Sequence, residues 1–228
     1  MLLRAENISK TFFRSSGSAN YFYAVSPLSL EISPGTVTVL MGRSGSGKTT
    51  LLNMLSGLLE PSEGKVFLDE TDLYSLKDAA LSRLRNEKIG VVPQARSAVD
   101  TLTVLENILL PEKLYGKKEP LEKVRHWMET FEISPLSDAL PGELSGGELR
   151  RMAMVRAIAR DPEILFADEP TGDLDDENTE KVLSALHALA HEENRAVFIV
   201  THESDAVKYA DRLFRMEKGH LDSVIASQ

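Results

Sequence analysis

Eight consecutive residues, Gly42-Arg43-Ser44-Gly45-Ser46-Gly47-Lys48-Thr49, fit the pattern G-x-x-x-x-G-K-[ST] and follow a largely apolar run at 37–41. This pattern calls for a buried strand, a tight loop and then a helix, with the loop shaped to hold phosphate. The glycines let the backbone curl so that successive N–H groups turn inward, where they add to the positive end of a helix dipole starting near Gly47. Lys48 would place its ammonium on the terminal phosphates of a polyphosphate. The Thr49 hydroxyl would ligate a Mg²⁺ whose other ligands are phosphate oxygens, water and a distant carboxylate. A plain Gly/Ser-rich surface turn is the competing reading, and the strand ahead with the helix behind argue against it.

A suitable carboxylate lies far along the chain, where residues 163–167 read as a strand ending in Asp168-Glu169. At such a strand end Asp168 suits a metal, and Glu169 suits the base that polarises an attacking water. Residues 195–200 form another strand ending in Thr201-His202. Open α/β sheets gather ligands at the carboxyl ends of their strands, so His202 can donate to a terminal phosphate; taken alone, it reads as a capping or solvated histidine. Gln94 ends the strand predicted over 88–92, with a solvated turn as the alternative. Leu144-Ser145-Gly146-Gly147-Glu148 opens a helix and makes either a second anion site or an ordinary serine cap. Upstream, one of Phe12, Phe13, Tyr21 and Tyr23 can stack on adenine, or all can be ordinary strand residues.

Periodicity predicts further strands over 2–8, 21–32, 65–69 and 212–217 and a last one at the C-terminal end, with a Ser/Gly turn over 14–20. Helices are predicted over 49–59, 73–85, 104–114, 121–131 and 177–192. Strand signals vanish between 95 and 141, which predicts a helical subdomain inserted into one α/β domain spanning 1–228. A net charge of −9 argues against a general affinity for nucleic acid or an anionic membrane. The absence of cysteine excludes a disulfide framework and thiolate metal sites, and fits a reducing compartment. Neither a signal peptide nor an apolar run of membrane-spanning length is expected, so a membrane role needs a second polypeptide.

Taken in order, Gly42 to Thr49, Gln94, Leu144 to Glu148, the strand ending in Asp168-Glu169, Gly172 to Asp175 and His202 resemble the ATP-binding-cassette ATPases over nearly the whole chain. The resemblance implies a P-loop NTPase core with a mixed sheet, an N-terminal antiparallel β subdomain and the inserted helices. It makes Gly42, Ser44, Gly45, Ser46, Gly47, Lys48, Thr49 and Thr50 the nucleotide-binding loop, and Asp168 with Thr49 and Gln94 the Mg²⁺ ligands. Glu169 is the implied catalytic base, assisted by His202, Gln94 and Lys48. Ser145, Gly146 and Gly147 are the signature that binds the γ-phosphate across a dimer, Asp175 is the D-loop aspartate, and Phe12 is the ring stacked on adenine.

Glu148 stands where many members carry Gln, a change that keeps the backbone donors, and Asp173 stands where a small or neutral residue is common. The phrase from Leu144 to Arg151 is most similar to the lipoprotein-release, macrolide-export and FtsE group. One chain holds one phosphate loop and one signature, so a head-to-tail pair is expected to complete two ATP sites and to open on hydrolysis. The implied partners are a second copy and a permease-type membrane subunit, with no nucleic acid and no direct membrane insertion. The implied place is the cytoplasmic face of the inner or plasma membrane. The alternative is a soluble cassette ATPase serving DNA repair or translation, although the coiled coils, zinc modules or second cassette of such relatives are not visible.

Overall fold

A run such as Ala196-Val197-Phe198-Ile199-Val200 has no polar face to offer water, so it must be covered on both sides. In the computed structural model, which describes residues 2–13 and 21–224, that run lies in the middle of a sheet. In chain order the elements are β1 (Leu3–Phe13), β2 (Tyr21–Ile32), β3 (Thr36–Met41), α1 (Lys48–Leu55), β4 (Glu63–Leu68), β5 (Thr71–Asp72), α2 (Asp78–Lys88) and β6 (Ile89–Val92). There follow α3 (Val104–Leu114), α4 (Leu121–Thr130), α5 (Gly146–Ile158), β7 (Ile164–Asp168), α6 (Asp176–His191), β8 (Ala196–Thr201), β9 (Arg212–Glu217) and β10 (His220–Val224). The large sheet runs β10-β9-β3-β8-β7-β6, and a smaller one runs β2-β1-β4-β5. All pairings in the large sheet are parallel except β10 with β9, and the small sheet is wholly antiparallel.

The period of two splits the central strands between two cores. Val37, Val39, Leu165, Ala167, Val197 and Ile199 face one core, which they share with α3, α4, α5 and α6. Leu40, Phe166, Phe198 and Val200 face the other, shared with α1, α2 and the small sheet. The mixed sheet, the N-terminal antiparallel sheet and the flanking helices are the expected α/β arrangement.

The stretch between 95 and 141 has only helical regular elements among the described residues, and irregular segments join them. Its anchor is the fully buried Asn107, whose amide nitrogen donates to the carbonyls of Val99 (3.0 Å), Leu102 (2.9 Å) and Thr103 (3.0 Å) while its oxygen accepts from Val99 N–H at 2.7 Å. One side chain thereby satisfies the irregular backbone ahead of α3, whose start is fixed by a capping box between Thr103 and Glu106.

Several boundaries differ from the sequence prediction. The helix expected over 73–85 is broken into a 3₁₀ turn, Leu73–Ser75, and α2. Asp72 caps the turn by accepting from Tyr74 N–H at 3.2 Å, and the Tyr74 hydroxyl reaches the carbonyls of Met54 and Leu59 at 2.6 and 2.7 Å, which pins the turn to α1 before the chain can continue as a helix. Helix α1 stops at Leu55 because the N–H groups of Leu58 and Leu59 both return to the Asn53 carbonyl around Gly57, whose φ is +75°. Strand β1 extends to Phe13, and its pairing with β2 shifts register three times, which destroys the alternation that would have revealed its length. The two-residue strand β5 carries too little pattern to be predicted, and the turn expected over 14–20 lies outside the described residues.

Phe198 has no exposed surface and meets Phe166 at 5.8 Å between ring centroids. Phe198→Ala is expected to lower unfolding stability by about 3–5 kcal/mol, measured by urea denaturation, with the slope against denaturant unchanged.

Candidate functional site

The phosphate loop leaves β3 at Met41 and enters α1 through Gly47, with Gly45 and Gly47 at φ of +77° and +107°. Gly47 is irreplaceable for a second reason: a Cβ there would stand 2.1 Å from the Ala24 carbonyl oxygen of β2. Behind the loop Gly219 N–H donates to the Ser46 carbonyl at 2.9 Å, and Ser26 N–H donates to the Gly219 carbonyl at 2.8 Å. The β9–β10 turn and β2 therefore clamp the loop. Gly42 packs against the Met216 carbonyl, and Ser46 is buried beneath the loop, so neither lines the opening. The buried Lys48 donates from Nζ to the carbonyls of Gly42 (2.7 Å) and Arg43 (3.2 Å), which holds its charge inside the loop's curl.

Across from the loop, β7 ends in the buried pair Asp168 and Glu169. Burial raises the Asp168 carboxyl above the ordinary range, opposed by a hydrogen bond from Thr49 and by the charge of Lys48. Glu169 breaks the strand at φ +51°, a backbone conformation unfavourable for a side-chain-bearing residue. The surroundings hold it there. Its N–H donates to the Val200 carbonyl at 2.8 Å, and its Oε2 accepts from the Thr201 hydroxyl at 3.0 Å. His202 Nδ1 stands 3.0 Å from Glu169 Oε1 and, facing an acceptor-only carboxylate, is the protonated nitrogen. That hydrogen bond, with the charge of Glu169, raises the imidazole pKa.

A cleft of about 980 Å³ joins these groups. Of the predicted residues, Phe12, Ser44, Gly45, Gly47, Lys48, Thr49, Thr50, Gln94, Asp168, Glu169 and His202 all line it. Phe12 is on its wall and Phe13 is not; Phe13 pairs instead with Tyr21, at 5.3 Å between centroids. The remaining predicted residues lie elsewhere. Ser145, Gly146, Gly147 and Asp175 line a second cleft of about 570 Å³. There Ser145 caps α5 in a capping box whose other half is Glu148: Oε2 takes the Ser145 N–H and hydroxyl, both at 2.7 Å. These bonds hold the Glu148 carboxyl below its ordinary pKa. Asp175 caps α6 by accepting from Asn178 N–H at 2.8 Å.

Tyr23, another of the four candidate rings, shares the cleft wall with Phe12. Four further contributors carry no local sequence signal. Phe22 also stands on that wall, and the Phe12–Phe22 contact arises from a cross-strand register visible only once β1 and β2 are paired. Lys218 and Gly219 reach the rim from a C-terminal hairpin whose sequence has no chemical signature. Arg150 donates to carbonyls at the ends of β6 and β7, and nothing marks it among its neighbouring arginines.

The His202–Glu169 pair has a pH signature. Because the folded pKa of His202 lies above the ordinary value of about 6.5, the pair's contribution is complete below that value and is lost as pH rises through the folded pKa. Imidazole NMR titration is expected to show His202 titrating above the ordinary histidine range and falling back to it in Glu169→Gln; an unshifted His202 would contradict the pairing.

The ABC transporter family matches residues 25–172, more than half of a chain of 228 residues. Rv2564, an ABC transporter ATP-binding protein of Mycobacterium tuberculosis, is 39% identical over 85% of this chain, and the match spans 60% of that relative's length. The lipoprotein-releasing system ATP-binding protein LolD of Bdellovibrio bacteriovorus is 35% identical over 97% of this chain and 100% of its own. Among solved structures, the dimeric cassette MJ0796, a protein of Methanocaldococcus jannaschii, matches with a TM-score of 0.89 at 32% identity over 99% of this chain and 100% of that one. A post-hydrolysis dimer of the same cassette bound to ADP and Pi also has a TM-score of 0.89, at 31% identity and the same coverage. By fold and by sequence, this chain belongs to the ABC transporter family.

Proposed function

We propose that the chain is the ATP-hydrolysing subunit of an ABC transporter or mechanotransmission complex, driving a separate membrane subunit by closing as a head-to-tail pair around ATP. The observation that carries this reading is the separation of the two clefts. One chain holds Lys48, Thr49, Asp168, Glu169 and His202 in one cleft and Ser145, Gly146 and Gly147 in another, so each has half of a phosphate shell. Two copies arranged head to tail complete both halves. The dimeric MJ0796 cassettes, one of them holding ADP and Pi, support the arrangement.

Within this reading the adenine stacks on Phe12, and the phosphates take the N–H groups of the loop. Lys48 turns from its own loop's carbonyls to the β- and γ-phosphates. For Mg²⁺ the donors fit, because Thr49, Asp168 and Gln94 line the same cleft and offer it hydroxyl, carboxylate and amide oxygens. Bound there, Mg²⁺ offsets charge on the phosphates. Glu169, oriented by Thr201 and His202, accepts the proton of the attacking water, and His202 keeps Nε2 for the γ-phosphate.

Among the described residues no helix is long and apolar enough to cross a membrane. We assign the membrane partner to another chain, docked on the helical segment, where Leu114, Tyr115 and Leu121 are exposed. That docking puts the chain at the cytoplasmic face of the membrane. The transporter names of the relatives favour this over a soluble role in DNA repair or translation.

Two substitutions test the reading. Lys48→Ala is expected to weaken ATP binding by about 10- to 100-fold, the worth of charge-assisted hydrogen bonds, in a fluorescent-nucleotide titration. Glu169→Gln is expected to bind ATP normally, to slow turnover on the order of 10²–10⁴-fold, and to accumulate an ATP-dependent dimer in light scattering. Wild-type turnover by Glu169→Gln would remove the base assignment.

A further inference from the structure

We infer that Arg150 is a positioning residue that clasps the signature helix α5 to the strand ends carrying Gln94 and Asp168, so that seating of the Ser145 end against a second copy is felt at this chain's own phosphate site. The inference rests on the proposed assignment of Ser145 and of Gln94 with Asp168 to two different ATP sites.

The geometry is specific. Strands β6 and β7 are parallel neighbours, with Val92 opposite Ala167, so Pro93 and Asp168 both lie at the carboxyl edge of the sheet. Carbonyls at this edge have no further ladder to join. The Arg150 guanidinium takes three of them: Nη1 donates to the Pro93 carbonyl at 2.7 Å and, more weakly, to that of Asp168 at 3.4 Å, while Nη2 donates to the Gln94 carbonyl at 2.9 Å. A second arginine of α5 continues the fastening, because Arg156 donates to the Ser97 carbonyl at 2.8 Å and to its hydroxyl. The segment 93–97 has no regular structure of its own, and both its ends are tied to the same helix.

Arg150 follows the Ser145 cap by five residues, about one and a half helical turns. A displacement of the cap is therefore carried rigidly to the guanidinium. The fork also faces Asp173, Asp168 and Glu169, whose charges favour the guanidinium against its partial burial. Lysine would keep that charge, but a single ammonium lacks the planar fork that reaches carbonyls on two strands. Fork and charge can thus be separated by substitution.

The test compares wild type, Arg150→Gln and Arg150→Lys as full chains. Expected for both variants is a kcat for ATP hydrolysis lower by about 10- to 100-fold, the scale of a misplaced catalytic group, with KM, ADP affinity and thermal midpoint unchanged. In the Glu169→Gln background both are expected to retain the ATP-dependent dimer, since nucleotide capture is untouched. Wild-type kcat in Arg150→Gln would overturn the inference. So would full recovery in Arg150→Lys, which would reduce the role to charge, or loss of ADP affinity or thermal midpoint alongside kcat, which would reduce it to scaffold. A wild-type chain that neither hydrolyses ATP nor dimerises with it would overturn the proposed function itself, and this inference with it.

Discussion

Everything chemical in this molecule depends on three parallel strands ending level with one another. In register Met41 lies opposite Thr201, and Asp168 lies opposite Val200. The phosphate loop, the acidic pair and the histidine are thereby delivered to one edge by β3, β7 and β8. The level ending is enforced by burial on both faces. A slip of one residue would exchange the sets that face the two cores, turning Phe166 and Phe198 into the space now filled by Leu165, Ala167 and Val197. Aromatic and small side chains are not interchangeable at interior packing density, so the core fixes the register and the register fixes the site.

The edge so formed is acidic, which opposes the polyanion that the proposed function brings to it. Asp168 and Glu169 would repel bare phosphates, and burial removes the water that could screen them. Compensation comes in three parts on three elements. Lys48 contributes its ammonium, the loop contributes oriented N–H groups, and in the proposed function Asp168 with Thr49 would present oxygens to a divalent cation. The raised pKa of Asp168 expresses the same tension: without a cation its charge is held at a cost, and His202 is drawn toward the protonated state by its carboxylate neighbour. In the proposed function the acids make the cleft discriminate between a nucleotide that brings a metal and one that does not.

What could be read in the sequence was whatever is encoded locally. The phosphate loop is eight contiguous residues whose types follow from one backbone shape, and β7 and β8 announce themselves by uninterrupted apolar runs with polar residues at their ends. The edge position of Gln94, Asp168, Glu169 and His202 followed from the strand pattern alone. Features that arise from pairing were hidden. Phe22 reaches the aromatic wall through the bulged register of β1 with β2, and α2 begins late because Tyr74 is held by the carbonyls of Met54 in α1 and of Leu59 just beyond it. Arg150 sits in a run of two arginines, and only the position of α5 over β6 and β7 separates it from Arg151.

The location of Ser145, Gly146 and Gly147 shows why the local reading of that motif stayed divided between an anion site and a helix cap. The structure makes Ser145 an N-cap in full geometric terms, with Glu148 returning the bond. A cap and an anion site are the same physical object, since both exploit unpaired N–H groups at the positive end of a helix dipole. What decides between them is whether an anion can be brought there. Within one chain the residues that would hold its terminal phosphate line a different cleft, so Ser145 can serve only as a cap to its own nucleotide. In the proposed assembly a second chain supplies the phosphate. Binding energy that could not be collected by one chain alone then goes into holding two together, and cleavage of the γ-phosphate withdraws it. An intact site within one chain would have bound ATP as well, but its occupancy would have moved nothing.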